Sequence, residues 1–245
     1  MNSNLSTNFT KNKLSGILFG GTCSMNTVVN FFQSGGPFMY PIALVLVVGL
    51  ALAVERWLFL TTAKASNRRT FNRILPLLQK KDFASIVEIA RQSKAPVGRI
   101  VAAGIARLQQ TPRREEVEFA MEEGVMEAVP RLEKRTPYLA TLANIATLLG
   151  LLGTIMGLIA AFTAVANADP AEKANLLSQS ISVAMNTTAF GLMSAIPLLL
   201  AHAMLQSKTT EIIDSLEMAG VKCLNTMSNT NVFAARPRAT GEVAR

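Results

Sequence analysis

The chain has 245 residues, half of them hydrophobic but only 6% aromatic and 16% charged, with a formal net charge of +8. Soluble domains carry about 25% charged residues; this shortage, with the apolar residues gathered in three long blocks, excludes an ordinary water-soluble core. Cys23 and Cys223 lie at opposite ends and give neither metal-ligand spacing nor a disulfide framework, and the basic residues flank the apolar blocks, where they set topology rather than bind nucleic acid.

Residues 1–37 are polar and Gly-rich, with a short apolar patch at Leu14–Phe19. They read as an irregular extracytoplasmic extension. A signal peptide or lipoprotein site at Cys23 has a poor cleavage context in Leu-Phe-Gly-Gly-Thr-Cys, and Met25 is an alternative start.

The first apolar block, Phe38 to Leu60, is interrupted only near its end by Glu55-Arg56. The second, Leu139 to Ala166, has no charged residue in 28 positions, and the third, Ile181 to Leu205, has none in 25. A helix needs about 20 residues to cross about 30 Å of hydrocarbon, and an ionised residue at the centre costs about 2.5–3.5 kcal/mol. The expectation is an all-α integral membrane protein with three transmembrane helices, at 38–60, 137–167 and 181–206, and a short loop at 168–180. Two of the helices are expected to extend into a cytoplasmic helical domain.

Between Lys64 and Arg135 lie fifteen of the 24 basic residues, whereas Asn167–Gln179 has only Lys173. The positive-inside rule therefore predicts that segment 61–136 and the 207–245 helix and disordered tail are cytoplasmic, with the N-terminus periplasmic. The 61–136 segment reads as helical: Ile86, Ile89 and Ala90 share a face, as do Ile100, Ala103, Gly104 and Arg107. Pro96 and Pro112 punctuate it. Thr136-Pro137 reads as an N-cap followed by a first-turn proline.

The second span has a size pattern. Ala140, Ala143, Thr147, Gly150, Thr154, Gly157, Ala161, Ala164 and Ala168 recur at spacings of three and four, one stripe of small or hydroxylated residues. Lipid does not drive apolar helices together, so close association relies on such residues. Gly153 belongs with them. The third span repeats the idea with Ala184, Thr188, Gly191 and Ala195, beside Thr187 and Ser194, and Pro197 is expected to kink it. The hydroxyls either glue helices together or line a polar path; packing is the ordinary reading. His202 reads as an interfacial residue, with a proton relay as the sharper alternative. Glu55 and Arg56 read as a membrane-boundary pair beside Trp57, with snorkelling side chains. Spans two and three hold no Asp or Glu, so a titratable carrier must come from another chain or from water. The sequence has no phosphate loop, no metal cluster and no cofactor motif. An intramembrane hydrolase would require Ser194, His202 and Glu55 to converge from different depths.

Three stretches resemble the ExbB/TolQ/MotA proton-channel family. They are Gly35-Gly-Pro-Phe-Met-Tyr-Pro-Ile with its span ending in Glu55-Arg56, Gly150-Leu-Leu-Gly-Thr-Ile-Met-Gly157, and Thr187-Thr-Ala-Phe-Gly-Leu-Met-Ser-Ala-Ile-Pro197. Over roughly residues 30 to 215 the size and topology are closest to ExbB and TolQ. The resemblance implies a homo-pentameric ring in the bacterial inner membrane around single-span partners of the ExbD/TolR type, whose intramembrane Asp carries the proton. It further implies a TonB-like or other periplasmic client, with Thr154 and Thr188, and beside them Thr187 and Thr147, as pore-facing hydroxyls. Val183, Thr147 and His202-Ala203 depart from the family pattern and mark a divergent branch. A non-conducting membrane scaffold is the rival expectation.

Overall fold

The computed structural model describes residues 35–93, 95–229 and Phe233. Residues 1–34, with Cys23 and the Leu14–Phe19 patch, and the tail from 230 apart from Phe233 lie outside the described residues. Among the described residues the chain is helical, with no strand: α1 (Met39–Gln79), α2 (Phe83–Gln92), α3 (Pro96–Gln110), α4 (Arg114–Glu133), α5 (Thr136–Ala166) and α6 (Lys173–Asn229). Among the described residues three stretches are long and apolar enough to cross a membrane: Met39–Gln79, Arg114–Ala166 and Lys173–Asn229. Each apolar block falls in one of them, and α1 and α6 run on far past their blocks into polar sequence.

The boundaries have local causes. α1 closes in a Schellman arrangement: the Lys81 N–H donates to Leu78 O at 3.2 Å and the Asp82 N–H to Leu77 O at 3.1 Å. The residue in the left-handed conformation is Lys81, φ 59°, where glycine is usual. Asp82 then caps α2, accepting from the Ser85 N–H at 3.1 Å and its hydroxyl at 2.6 Å. These bonds hold the exposed Asp82 carboxyl below its ordinary pKa. Pro96 occupies the first turn of α3, where its missing N–H costs nothing, and Pro112 stands in the link to α4.

Between α4 and α5 the chain turns at Lys134–Arg135, with Arg135 at φ 70°. This turn, rather than a side-chain cap, starts α5. The Thr136 hydroxyl is buried and makes no hydrogen bond, which corrects the expected N-cap.

The contacts divide the chain into two compact units. One comprises Met1–Leu50 with Ala140–Leu199, the other Ala51–Leu139 with Leu200–Arg245. The first, as far as it is described, packs the start of α1 with most of α5 and the first half of α6. Its interior is small: Ala143, Ala146, Ala161, Ala184 and Ala195 are buried, whereas Leu148, Ile155, Phe162, Met185 and Ile196 stand outward. The second unit has a larger aliphatic core, including Ile74, Leu78, Ile86, Ile100, Ile105 and Leu132, with Leu205, Ile212 and Leu216 from α6. Exposed ion pairs decorate it, among them Lys64–Glu211 at 2.5 Å and Arg107–Glu116 at 2.6 Å.

Candidate functional site

Within the first unit, α5 and α6 meet along a seam of glycine and alanine. A Cβ added to Gly191 would stand 2.8 Å from Ala146 O and 3.0 Å from Gly150 Cα; one added to Gly150 would lie 3.3 Å from both Gly191 Cα and Thr188 Cα. The two backbones are in direct contact. About one turn away, a Cβ at Gly153 would collide with the Thr187 methyl, and about two turns away one at Gly157 would approach Ala184 Cβ to 2.7 Å. All four glycines of the sequence reading sit where a side chain would force the helices apart. α1 joins by the same means: a Cβ at Gly49 would stand 2.5 Å from Leu198 Cδ2. Gly49 is the only glycine of its apolar block, which is the signal that could have found it.

The four threonines do not share one environment. Thr188 is half-buried, and its hydroxyl donates across the seam to Gly150 O at 2.9 Å. Thr187 is 2% exposed, with its hydroxyl 2.6 Å from Gly35 O and 2.9 Å from Val183 O. It ties the segment ahead of α1 to α6 from inside the unit, so the structure moves it from the polar edge to the packing. Thr154 is half-buried and donates to Leu151 O at 2.6 Å; Thr147 is exposed and donates to Ala143 O at 3.1 Å.

The small stripe on α5 is therefore two edges. Ala143, Ala146, Gly150 and Gly153 are buried and form the seam. Thr147 and Thr154 lie one residue farther round, about 100° of helix turn for each residue step, and stand free of it. Sequence reading placed Thr147 on the packed line because neighbouring small residues are indistinguishable by spacing. It also missed Ala146.

A threonine hydroxyl has one proton to donate and two lone pairs that accept. In Thr147, Thr154 and Thr188 the proton is committed to a backbone carbonyl, so what remains toward a ligand or partner is acceptor capacity. Leu139–Ala166 and Ile181–Leu205 supply no carboxylate and no lysine or arginine. Ser194 is buried on α6 with its hydroxyl unpartnered. Pro197 lies exposed on α6, which continues through it; without an N–H, it leaves the carbonyl four residues earlier unpaired within the helix.

Glu55 and Arg56, in the second unit, take separate partners. The Glu55 carboxylate accepts from Arg135. Arg56 does not snorkel outward: it is 4% exposed, donates to Leu132 O and lies 4.9 Å from the Phe59 ring centroid. The adjacent Trp57 ring is covered by the Lys208 ammonium at 3.1 Å. His202, half-buried, belongs to this second unit as well. Among the described residues no group of three or more His, Cys, Asp and Glu side chains is placed to hold a metal.

Comparison with known proteins gives the geometry a context. Residues 92–218 match the model of the MotA/TolQ/ExbB proton channel family, a span running from the end of α2 through most of α6. A Methanothermobacter thermautotrophicus protein named as an ExbB homolog in biopolymer transport is 28% identical over 194 residues, 78% of this chain and 67% of that protein. The Tol-Pal system protein TolQ of Haemophilus influenzae is 34% identical over 93 residues, 38% of this chain and 40% of its own. TolQ of Pseudomonas aeruginosa is 25% identical over 189 residues, 70% and 81% of the two chains.

Proposed function

Because this chain belongs to the MotA/TolQ/ExbB proton channel family, a channel family rather than an enzyme family, we propose that it is the ring-forming subunit of an ion-driven stator. It is a multi-pass inner-membrane protein. In this reading the ring is a homo-pentamer with periplasmic N-termini and a cytoplasmic helical domain. It encloses one or more single-span partners of the ExbD/TolR type, and the force reaches a TonB-like or other periplasmic client.

One observation carries the reading: the free edge of α5 holds hydroxyls poised to accept hydrogen bonds, in a stretch with no acid of its own. A protonated carboxylic acid is a donor and an ionised one is not. An aspartate on a companion helix would thus bind this edge when protonated and release it when ionised, which links proton occupancy to helix position. Each charge crossing 100 mV releases about 2.3 kcal/mol, enough over a few ions to move a packed helix.

The test is proton flux in vesicles reconstituted with the full complex. Thr154→Val should abolish flux with assembly intact, and Thr154→Ser should restore it. Normal flux through Thr154→Val would end the channel assignment.

The glycine seam itself favours a second reading, a non-conducting scaffold whose small residues only hold an assembly together. Then Gly157→Leu would break assembly and every threonine variant would be silent.

A further inference from the structure

The second unit contains a cavity of about 450 Å³, within the range of small-molecule sites. Its walls come from α1, α3 and α4, and small residues leave the space: Ala63, Ala103, Gly124 and Ala128 carry one side-chain carbon or none. Most of the lining is apolar, but Arg99 and Arg131 reach it with Glu127 as the only acid, and Glu127 is already paired with Arg131 at 2.9 Å.

A third guanidinium lies against the same wall. Arg56 donates to the carbonyl of Leu132 and stacks on Phe59, both of which line the cavity. It is 4% exposed, and its Nε has no hydrogen-bond partner. A buried guanidinium short of a partner is costly unless an anion compensates it. The carboxylate nearest Arg56 is Glu55, which is itself paired with Arg135, and Arg131 is paired with Glu127. Four arginines against two committed carboxylates still leave a positive excess at the cavity, a place for negative charge.

Position selects among anions. Phe59 is the next-to-last residue of the first apolar block, and Ser66, also on the wall, lies only ~10 Å farther along α1 at 1.5 Å per residue. Leu132 stands just ahead of the second apolar block. Two of its wall residues, Phe59 and Leu132, thus lie close in sequence to the ends of two apolar blocks, near where those spans would leave the hydrocarbon for the headgroups.

We propose that the cavity binds an anionic phospholipid, with the phosphate between Arg99 and Arg131, the buried Arg56 charge behind it, and acyl carbons against Phe59 and the alanines. Arginine suits this role because its planar fork matches phosphate oxygens, and basic pockets beside membrane helices recognise charged headgroups.

The experiment places the full-length assembly in nanodiscs of nine parts phosphatidylcholine to one part phosphatidylglycerol, then measures lipid retained after detergent extraction by native mass spectrometry. Phosphatidylglycerol should be enriched at least three-fold over its share of the bilayer. Arg99→Gln with Arg131→Gln should remove that enrichment, while Arg99→Lys with Arg131→Lys should keep at least half. Ala63→Phe, which fills the cavity from α1 and leaves the arginines in place, should remove it too and reads the site independently should the double Gln variant fail to fold. Inorganic phosphate at 10 mM should not displace the lipid. Equal retention of the two lipids, or enrichment unchanged by Ala63→Phe, overturns the proposal. So does full displacement by phosphate, or a disulfide between copies through Ala103→Cys, which would put a second chain in the groove.

Discussion

Thr188 on α6 donates its hydroxyl proton to the carbonyl of Gly150 on α5 at 2.9 Å, at the point where Gly150 and Gly191 bring the two backbones together. Close approach and hydrogen bond depend on each other: the threonine reaches a main-chain oxygen only because no side chain intervenes.

This dependence separates the threonines. Thr188→Val removes a bond between helices and should cost about 0.5–1 kcal/mol of stability. Thr154→Val removes only a bond within α5 and should stay within about 0.5 kcal/mol of the parent. Unfolding in mixed detergent micelles, followed by circular dichroism, distinguishes them.

Glycine substitutions should have opposite signs at two places on α6. Gly191→Ala puts a Cβ against main-chain atoms of α5, which cannot rotate aside, and should cost about 1–3 kcal/mol. Gly220→Ala meets nothing within 4 Å and should stabilise by about 0.5–1 kcal/mol through helix propensity. Thermal unfolding of both variants checks the pair.

Among the described residues two that are not glycine hold left-handed backbone, Lys81 and Arg135. Lys81→Gly should stabilise by up to about 1 kcal/mol, since the arrangement at the end of α1 uses only main-chain bonds. Arg135→Gly loses the exposed pair with Glu55, worth at most about 1 kcal/mol, but relieves the backbone. It should therefore be less destabilising than Arg135→Ala by about 1 kcal/mol. Chemical denaturation of the three variants tests this.

Burial pushes the Cys223 thiol up to about 12. At pH 8 it should react with maleimide far more slowly than an exposed cysteine, and rapidly only on unfolding; peptide mapping of the labelled chain reads this directly. The sign of the linkage follows. The folded state keeps its proton where the unfolded thiol, with a pKa of about 8.5, loses it. This contribution is complete below about pH 8.5 and is lost as pH rises from there toward 12. Cys223→Ala should flatten that alkaline loss in a stability-versus-pH series.

Three apolar blocks and a charge-rich middle were legible in the sequence because hydropathy needs no partner: a run of 25 or more uncharged residues has few other uses. Pro96 and Pro112 marked helix boundaries for an equally local reason. The small stripe on α5 was legible as small, but not as two edges, since Ala146 and Thr147 differ by one step of helix rotation and only the position of α6 decides which is buried. The turn at Arg135 carried no signal, because the residue at positive φ is not glycine and its side-chain partner Glu55 lies 80 positions away in the chain. Arg56 looked like a boundary charge free to reach water. Only the folded second unit turned it inward onto Leu132, because a side chain's partner is set by what another helix brings near it.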